Sequence, residues 1–495
     1  MKYTALTGAT GLLGGFILKD LMRKDLPVVV LIRSNRMETA LQRIEGILRR
    51  HERQLGRPLP RPVVMEANLH EESLGLSREQ KAWLARHADT MIHNAASLTF
   101  IAEDNGEPYK SNVDGTRNVL ELCRETGIRR FHHVSTAYVC GRRKGLILES
   151  ELDAGQEFGN DYEKSKFTSE TMVRNSEFLD SVTVFRPAII VGDSATGYTS
   201  TFHGFYAPMK ILVPLLQPDS VDFKNLSTFA AILGMNPRDR KNFVPVDWIS
   251  RVMSTVICNP KLHDSCYHLA AGNRVTIDQM SQTIAEGITR YKKKNESSLA
   301  GSLDADKLLP MFREQMKVYQ AYWKDDPEFD MSNTRRAVPQ YPPMEMTPEL
   351  LMVFVRFAIE SHFGWPRPKP TQISFEAEKI FSGGNCLFFN SLSDAPRVNN
   401  LQNLQDTFAL RVSGPGGGDW TIMGCDSGKI VVESGCPADS TPVMTLNAIT
   451  LEEFARTADC DLLAARTAWE NGTNEQWSRA CRVLANVVLK KETLS

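Results

Sequence analysis

The sequence predicts an α/β protein. A Rossmann-type doubly wound parallel sheet with substrate-side insertions comes first, then a small α+β domain with an antiparallel sheet. Three observations carry this. Short apolar runs alternate with helix-period segments through the first part of the chain, the pattern of a parallel sheet covered on both faces. A glycine-rich turn separates the first apolar run from the first helical segment. Residue types also divide unevenly: all ten histidines lie at or before His362 and all eleven tyrosines at or before Tyr341.

The strand runs are Tyr3 to Leu6, Val28 to Ile32, Val63 to Ala67, Thr90 to His93, Phe131 to Ser135 and Val182 to Phe185. Helix-period segments fall between them at Leu13 to Arg23, Thr39 to Leu55 and Asn112 to Thr126. The rhythm breaks near 198–240 and 303–343, which leaves room for substrate-side insertions. Three prolines in Pro366 to Pro370 read as a stiff linker, so domains are expected at 1–370 and 371–495. In the second, Phe408 to Val412, Trp420 to Met423 and Lys429 to Glu433 read as strands. The glycines from Gly414 to Gly418 read as a hairpin turn rather than a phosphate cradle. Thr450 to Glu453 has capping-box spacing and Leu462 to Trp469 reads as an amphipathic helix.

Composition excludes several classes. The 495 residues carry 58 basic and 59 acidic side chains, net charge −1, so nothing electrostatic favours nucleic acid. Apolar runs such as Val28 to Ile32 are too short for an integral membrane segment. Met1 leads straight into the first strand run without a leader pattern, which predicts a cytoplasmic chain. The nine cysteines form no C-x-x-C pair, so they read as reduced and mostly buried.

The chemistry is concentrated in a few motifs. Thr7-Gly8-Ala9-Thr10-Gly11-Leu12-Leu13-Gly14 follows a strand and opens a helix. Its glycines permit a tight turn and close backbone approach to a pyrophosphate, which the helix N-terminus then receives. The second strand ends Leu31-Ile32-Arg33 with no acidic residue for a ribose hydroxyl. Arg33, with Arg43 on the next helix, suits a 2′-phosphate and points to NADPH; alone, Arg33 is also a solvated strand-end charge. Tyr162 and Lys166, four apart, share one helix face, where an ammonium is expected to lower the phenol pKa. Thr136 follows another strand.

Together these residues resemble the extended short-chain dehydrogenase/reductase superfamily over residues 1–370. Within it they are most similar to the thioester reductase branch: fatty acyl-CoA reductases and the terminal reductase domains of carboxylic acid reductases and carrier-protein megasynthases. Further matching motifs are His93-Asn94-Ala95-Ala96, Asn112-Val113-Asp114-Gly115-Thr116, Val134-Ser135-Thr136, Arg186-Pro187-Ala188-Ile189-Ile190-Val191-Gly192-Asp193 and Val244-Pro245-Val246-Asp247. The resemblance implies that Thr136, Tyr162 and Lys166 are the catalytic set. It implies that Asn94, Ala95 and Ala96 line the cofactor, with Pro187 beside the nicotinamide. Near the adenine this chain has Asn68-Leu69 where the family has Asp-Leu; Asn still hydrogen-bonds an amino group. His203, in an aromatic stretch, is a candidate second acid or pocket wall. From Phe381 to Leu489 the chain resembles the sterol carrier protein-like domain, which implies a lipid or acyl ligand.

The expected activity is reduction of an acyl thioester, bound to coenzyme A or an acyl carrier protein, by NADPH. A ketone or alcohol of a polyketide or sterol is the alternative substrate class. A sugar epimerase or dehydratase and a non-catalytic lipid-binding module are rival readings; the last has no need of Thr136, Tyr162 and Lys166. The C-terminal part, lacking His and Tyr, is expected to hold the apolar end of the substrate. A homodimer is left open.

Overall fold

The computed structural model describes residues 2–215, 236–292, 322 and 324–365, and in the C-terminal part 407–414, 417–424, 430–435, 441–447 and short stretches between 450 and 484. The first unit is built on β1 (Tyr3–Thr7), α1 (Leu12–Arg23), β2 (Val28–Ile32), α2 (Ala40–Leu55), β3 (Val63–Glu66), α3 (Arg78–His87), β4 (Ala88–His93), α4 (Gly115–Thr126) and β5 (Arg130–Val134). It continues with β6 (Leu146–Ile147), α5 (Asp161–Arg174), β7 (Ser181–Pro187), β8 (Ile189–Val191), α6 (Ala207–Leu215), β9 (Arg240–Lys241), β10 (Phe243–Pro245), α7 (Val246–Ile257) and β11 (Cys266–Leu269). The remaining pieces are β12 (Val275–Thr276), α8 (Ile277–Tyr291), β13 (Glu328–Phe329), α9 (Ser332–Ala337) and α10 (Pro348–Glu360).

Seven strands form one sheet in the order β11-β7-β5-β4-β1-β2-β3, and every neighbouring pair is parallel. β1 and β2 are buried at every residue, which is why they read as unbroken apolar runs. The chain winds outward from β1 in both directions, so the strand order reverses between β1 and β4. A crevice opens there at the carboxyl ends of the strands. α2 begins at Thr39, whose side chain accepts from the Gln42 N–H in a capping box, and it turns Ile44 and Leu48 into the core. β11 has no counterpart among the six predicted strands: it is only four residues long, and His268 interrupts its apolar run.

The C-terminal sheet contains β14 (Thr407–Ser413), β15 (Gly418–Gly424), β16 (Ile430–Ser434), β17 (Val443–Asn447) and β18 (Ala468–Glu470), in the order β16-β15-β14-β17-β18. It is mixed rather than antiparallel, because β14 and β17 run parallel. The glycine cluster is a hairpin turn: the Gly417 N–H donates to the Gly414 carbonyl at 3.0 Å. Phe408, Leu410, Val412, Ile422, Met444 and Leu446 alternate inward and pack on Phe454, Leu463 and Leu484. The predicted helix over Leu462 to Trp469 stops short. Ala468 and Trp469 pair with Thr445 and Met444, since an open sheet edge offers them backbone partners. The linker reading at Pro366 to Pro370, Glu453 of the capping box, and much of both insertions lie outside the described residues.

This sheet meets the first unit at the amino ends of the parallel strands. The Tyr3 hydroxyl donates to Asp419 at 3.3 Å, Gly435 packs on Tyr3 and Trp83, and the Gly414 N–H donates to the Leu59 carbonyl at 2.9 Å. Tyr3 opens β1, whereas the crevice lies beyond Thr7, about 13 Å along the strand. The expectation that the C-terminal part holds the substrate's apolar end does not fit these contacts.

Five histidines are buried within the first unit: His51, His93, His132, His133 and His268. Burial lowers all of them, His51 and His93 to about 3 and His268 to about 4. They stay neutral in the fold at pH 5, while the unfolded chain binds protons below pH 6.5. Stability is therefore fully present above pH 6.5 and is lost as pH falls. At pH 5 each of the three contributes a loss of about 2 kcal/mol. Urea midpoints measured at pH 7 and pH 5 should drop markedly at the lower pH; equal midpoints would show that these imidazoles do not govern acid stability.

Candidate active site

The crevice is a cavity of about 700 Å³ that runs from the ends of β1 and β2 to α8. Behind its wall a hydrogen-bond chain fixes the glycine turn. Thr116 donates to the Asn112 carbonyl at 2.6 Å, so its oxygen receives the Nε2–H of His93 at 3.0 Å. Neutral His93 then accepts at Nδ1 from the Thr7 hydroxyl at 2.8 Å. That hydroxyl in turn accepts the N–H groups of Asn94 and Ala95, each at 3.2 Å. One donor and two acceptors are thereby used, the full capacity of a hydroxyl.

Gly8 and Gly14 exist for close approach. Gly8 has φ +69°, and a Cβ there would lie 2.6 Å from the Ala95 nitrogen. A Cβ on Gly14 would lie 2.0 Å from the Gly8 carbonyl oxygen, which also accepts the Asn94 amide at 3.1 Å. α1 then starts at Gly11 with no side-chain cap and no acidic residue in its first turn. Gly11, Leu12 and Leu13 line the cavity. The Gly11 N–H is spent on the Gly8 carbonyl at 3.1 Å, while the first-turn N–H groups that follow it and the positive end of the helix face the cavity. This is a cradle for a diphosphate.

At the far side of the cradle, Arg43 reaches back from α2. Its guanidinium donates to the Arg33 carbonyl at 2.6 Å and to the Thr10 hydroxyl at 2.9 Å. Burial and the neighbouring Arg33 lower its pKa, and a guanidinium keeps its charge. Arg33 is exposed at the cavity edge. Asn68 and Leu69 line the same end; Asn68 is tied to Glu71 at 2.8 Å, beside His70 and Ser111. The donor set therefore fits a nicotinamide dinucleotide.

The other half of the cavity holds the candidate chemistry. Thr136, Tyr162, Lys166 and Pro187 share its wall. α5 starts at Asn160, whose side chain accepts the Glu163 N–H at 2.9 Å. One helical turn separates Tyr162, half-buried, from Lys166, buried. The Lys166 ammonium donates to the Val134 carbonyl at 2.8 Å, and burial lowers its pKa to about 8. Tyr162 is hydrogen-bonded to Thr136, yet burial pushes its phenol up to about 12. The net shift runs opposite to the expected lowering because burial outweighs the interaction with Thr136. Asn112 bridges Ser97 and Ser165, and Ser165 donates to the Tyr162 carbonyl at 2.8 Å, tying the turn before α4 to α5.

The structure thus brings together all the residues singled out in the sequence except Thr7 and Gly14, which support the wall from behind, and it places Ala96 at the exposed rim. His203 is exposed at the mouth. Sequence reasoning missed Tyr138, Lys241, Phe243 and Tyr322, which reach the same cavity from distant segments.

The model of the male sterility protein family, an NAD-binding family, matches residues 6–253. The chain belongs to this family. That places it among the NAD(P)-dependent oxidoreductases of the extended short-chain type. Aldehyde reductase lnaA of Aspergillus flavus is 26% identical over 397 residues, covering 71% of this chain and 35% of that protein. The large subunit of L-2-aminoadipate reductase from Penicillium chrysogenum is 26% identical over 302 residues, covering 55% of this chain and 20% of its own length. This chain therefore spans about a third or less of these relatives. Among solved structures, the terminal R domain of the myxalamid PKS-NRPS pathway aligns with TM-score 0.56 at 23% identity, over 75% of this chain and 93% of that one. The R domain of a nonribosomal peptide synthetase from Mycobacterium tuberculosis aligns with TM-score 0.54 at 18% identity, over 73% and 92%. The male sterility family fold is that of these reductase domains. No helix among the described residues is long and apolar enough to cross a membrane.

The glycine geometry makes a differential prediction. Gly14→Ala drives a methyl into the Gly8 carbonyl and should cost about 1–3 kcal/mol. Gly11→Ala meets only an ordinary contact at 3.4 Å and has a φ of −77°, so it should leave the melting temperature nearly unchanged. Thermal unfolding of both variants checks this; equal losses would contradict the close approach.

Proposed function

We propose that this chain is an NADPH-dependent thioester reductase. The observation that carries the reading is one cavity walled by the glycine cradle, two arginines and the group Thr136, Tyr162 and Lys166. Gly8, Thr10, Gly11, Leu12, Leu13, Asn94, Ala95 and Ala96 would hold the cofactor's diphosphate side, Asn68 and Leu69 its adenine. Arg33 and Arg43 would hold its 2′-phosphate. Bound there, the cofactor supplies hydride.

The chain's own residues then do the following. Thr136 and Tyr162 donate hydrogen bonds to the carbonyl oxygen of the thioester, where negative charge develops. Tyr162 hands its proton to that oxygen. Lys166, whose charge burial makes labile near pH 8, restores the proton to Tyr162 and holds the nicotinamide ribose. Pro187 closes the wall behind the nicotinamide. The collapsing hemithioacetal releases a thiol and an aldehyde. The substrate would be an acyl group on coenzyme A or a carrier protein, in the cytoplasm. The reductases among the relatives, lnaA and L-2-aminoadipate reductase, and the R-domain structures support this chemistry. We further propose 1–370 as the reductase and 371–495 as a sterol carrier protein-like module for a lipid or acyl ligand of its own.

NADPH oxidation is followed with an acyl-CoA, a β-ketoacyl thioester and no substrate. Oxidation with release of aldehyde or alcohol from the acyl-CoA is expected. Reduction of the β-keto group alone would replace this reading with ketone reduction. Tyr162→Phe should lower turnover by a factor of about 10² or more with NADPH still bound; unchanged turnover removes Tyr162 from the mechanism.

Cofactor choice is tested at the second strand. Arg33→Ala should raise the Kd for NADPH about tenfold and that for NADH hardly at all, because only NADPH carries the 2′-phosphate. Equal weakening of both would sink the assignment.

A further inference from the structure

Tyr322 reaches the cavity from the segment that follows α8, far along the chain from α5. It is half-buried and lines the cavity wall. Its ring stands edge-on to Phe100 and to Tyr138, with centroids 5.4 Å away in both cases. Phe100 in turn lies edge-on to Tyr162 at 5.8 Å. The chain just beyond Tyr322 is clasped in place. Asp326 accepts from the Tyr138 hydroxyl at 2.7 Å, the Asn242 N–H at 2.9 Å and the Lys241 ammonium at 3.1 Å. Lys241 also donates to the Lys324 carbonyl.

The hydroxyl of Tyr322 meets Glu163, the residue that follows Tyr162. It donates to the Glu163 carboxylate and accepts from the Asn160 amide. The carboxyl is buried and also accepts the Gly159 N–H at 2.7 Å. Other charged or titratable groups acting at this corner are Arg142, Asp326 and Cys140. Burial raises Glu163 to about 6, within reach of neutral pH. When Glu163 carries a proton it donates to the Tyr322 oxygen. With Asn160 also donating, both acceptor positions are filled and the Tyr322 O–H is left free to donate elsewhere.

We propose that Tyr322 and Glu163 form a second acid, distinct from Tyr162, that protonates the departing thiolate. The proposal rests on the thioester reading. Reduction leaves a hemithioacetal, a reprotonated Tyr162 and a neutral Lys166. In the collapse, the hemithioacetal O–H proton returns through Tyr162 to Lys166 and the C–O bond becomes a carbonyl. The C–S bond breaks with its electron pair on sulfur. Tyr322 gives sulfur its proton and takes one from the Glu163 carboxyl, which regains it from solvent. The products are aldehyde and thiol, and both tyrosines end protonated. Reduction of a free aldehyde has no departing sulfur and makes no use of the pair.

The test uses the full chain with an acyl-CoA and with the matching free aldehyde, in wild type, Tyr322→Phe and Glu163→Gln. Each substitution keeps the side chain's shape. The ratio of thioester to aldehyde kcat should fall about tenfold or more in both variants, the scale of one lost proton donor. In a single turnover, NADPH oxidation should run ahead of free thiol detected by a thiol reagent. The double variant should be no worse than either single one, since the two side chains act in series. A merely structural role lowers both activities together; an unchanged ratio, or thiol appearing in step with NADPH oxidation, overturns the proposal. A wild-type protein that reduces the aldehyde but no thioester would refute the thioester reading itself.

Discussion

Helix α5 carries Tyr162, Glu163 and Lys166, and one buried ion pair decides where that helix sits. Arg186, in β7, donates from Nη2 and Nε to the two oxygens of Glu170 at 2.7 and 3.1 Å. Both side chains are almost wholly shut off from water, at 1% and 0% exposure. Removing two charges from water is costly, so such a pair adds little net stability over apolar residues of the same size. Breaking it by removing one partner strands a buried charge and is severe. The fork-on-fork geometry therefore acts as a register device. It fixes the turn of α5 next after Lys166 against β7, whose last residue is Pro187 on the cavity wall. Arg186 also donates to the Glu151 carbonyl at 2.7 Å, which pins the loop leading toward α5.

The same logic extends across the sheet. From Thr7 through His93 to Thr116, and from Asn112 through Ser165 to the Tyr162 carbonyl, polar side chains tie the glycine turn to the helix that carries the phenol. Each link is fully satisfied, which makes a buried polar chain a rigid one. The cofactor half and the chemical half of the cavity are thus two ends of a single network, built from residues more than a hundred positions apart. A substitution at His93 would disturb Thr7 and α4 together, without touching any ligand.

Much of this was legible in the sequence, for physical reasons. β1 and β2 are buried on both faces, and that demands unbroken apolar runs with nearly unambiguous ends. The glycine turn advertises itself because no side chain fits at Gly8 or Gly14. Tyr162 and Lys166 were found because a helix places residues four apart on one face. What escaped depends on long-range contact. Tyr322, Lys241 and Tyr138 share a wall only after residues 138, 241 and 322 have folded together, and no local pattern records that. The elevated phenol pKa escaped for a related reason: spacing shows that Lys166 is near Tyr162, not how far burial raises the phenol. β17 pairing parallel to β14 was hidden because strand direction in a small sheet follows the connections, and the runs themselves are silent about it.

The placement of the C-terminal sheet at Tyr3, Leu59 and Trp83 gives the molecule two poles. The described residues of that sheet meet the first unit at the opposite ends of the parallel strands from the cavity, so the two parts share a chain without sharing that wall. None of the described C-terminal residues lines the cavity whose rim holds Ala96 and His203. Among the described residues, the strands that end at Tyr3 and the strands that end at the cavity thus present two different surfaces of one sheet, and the C-terminal sheet occupies only the first.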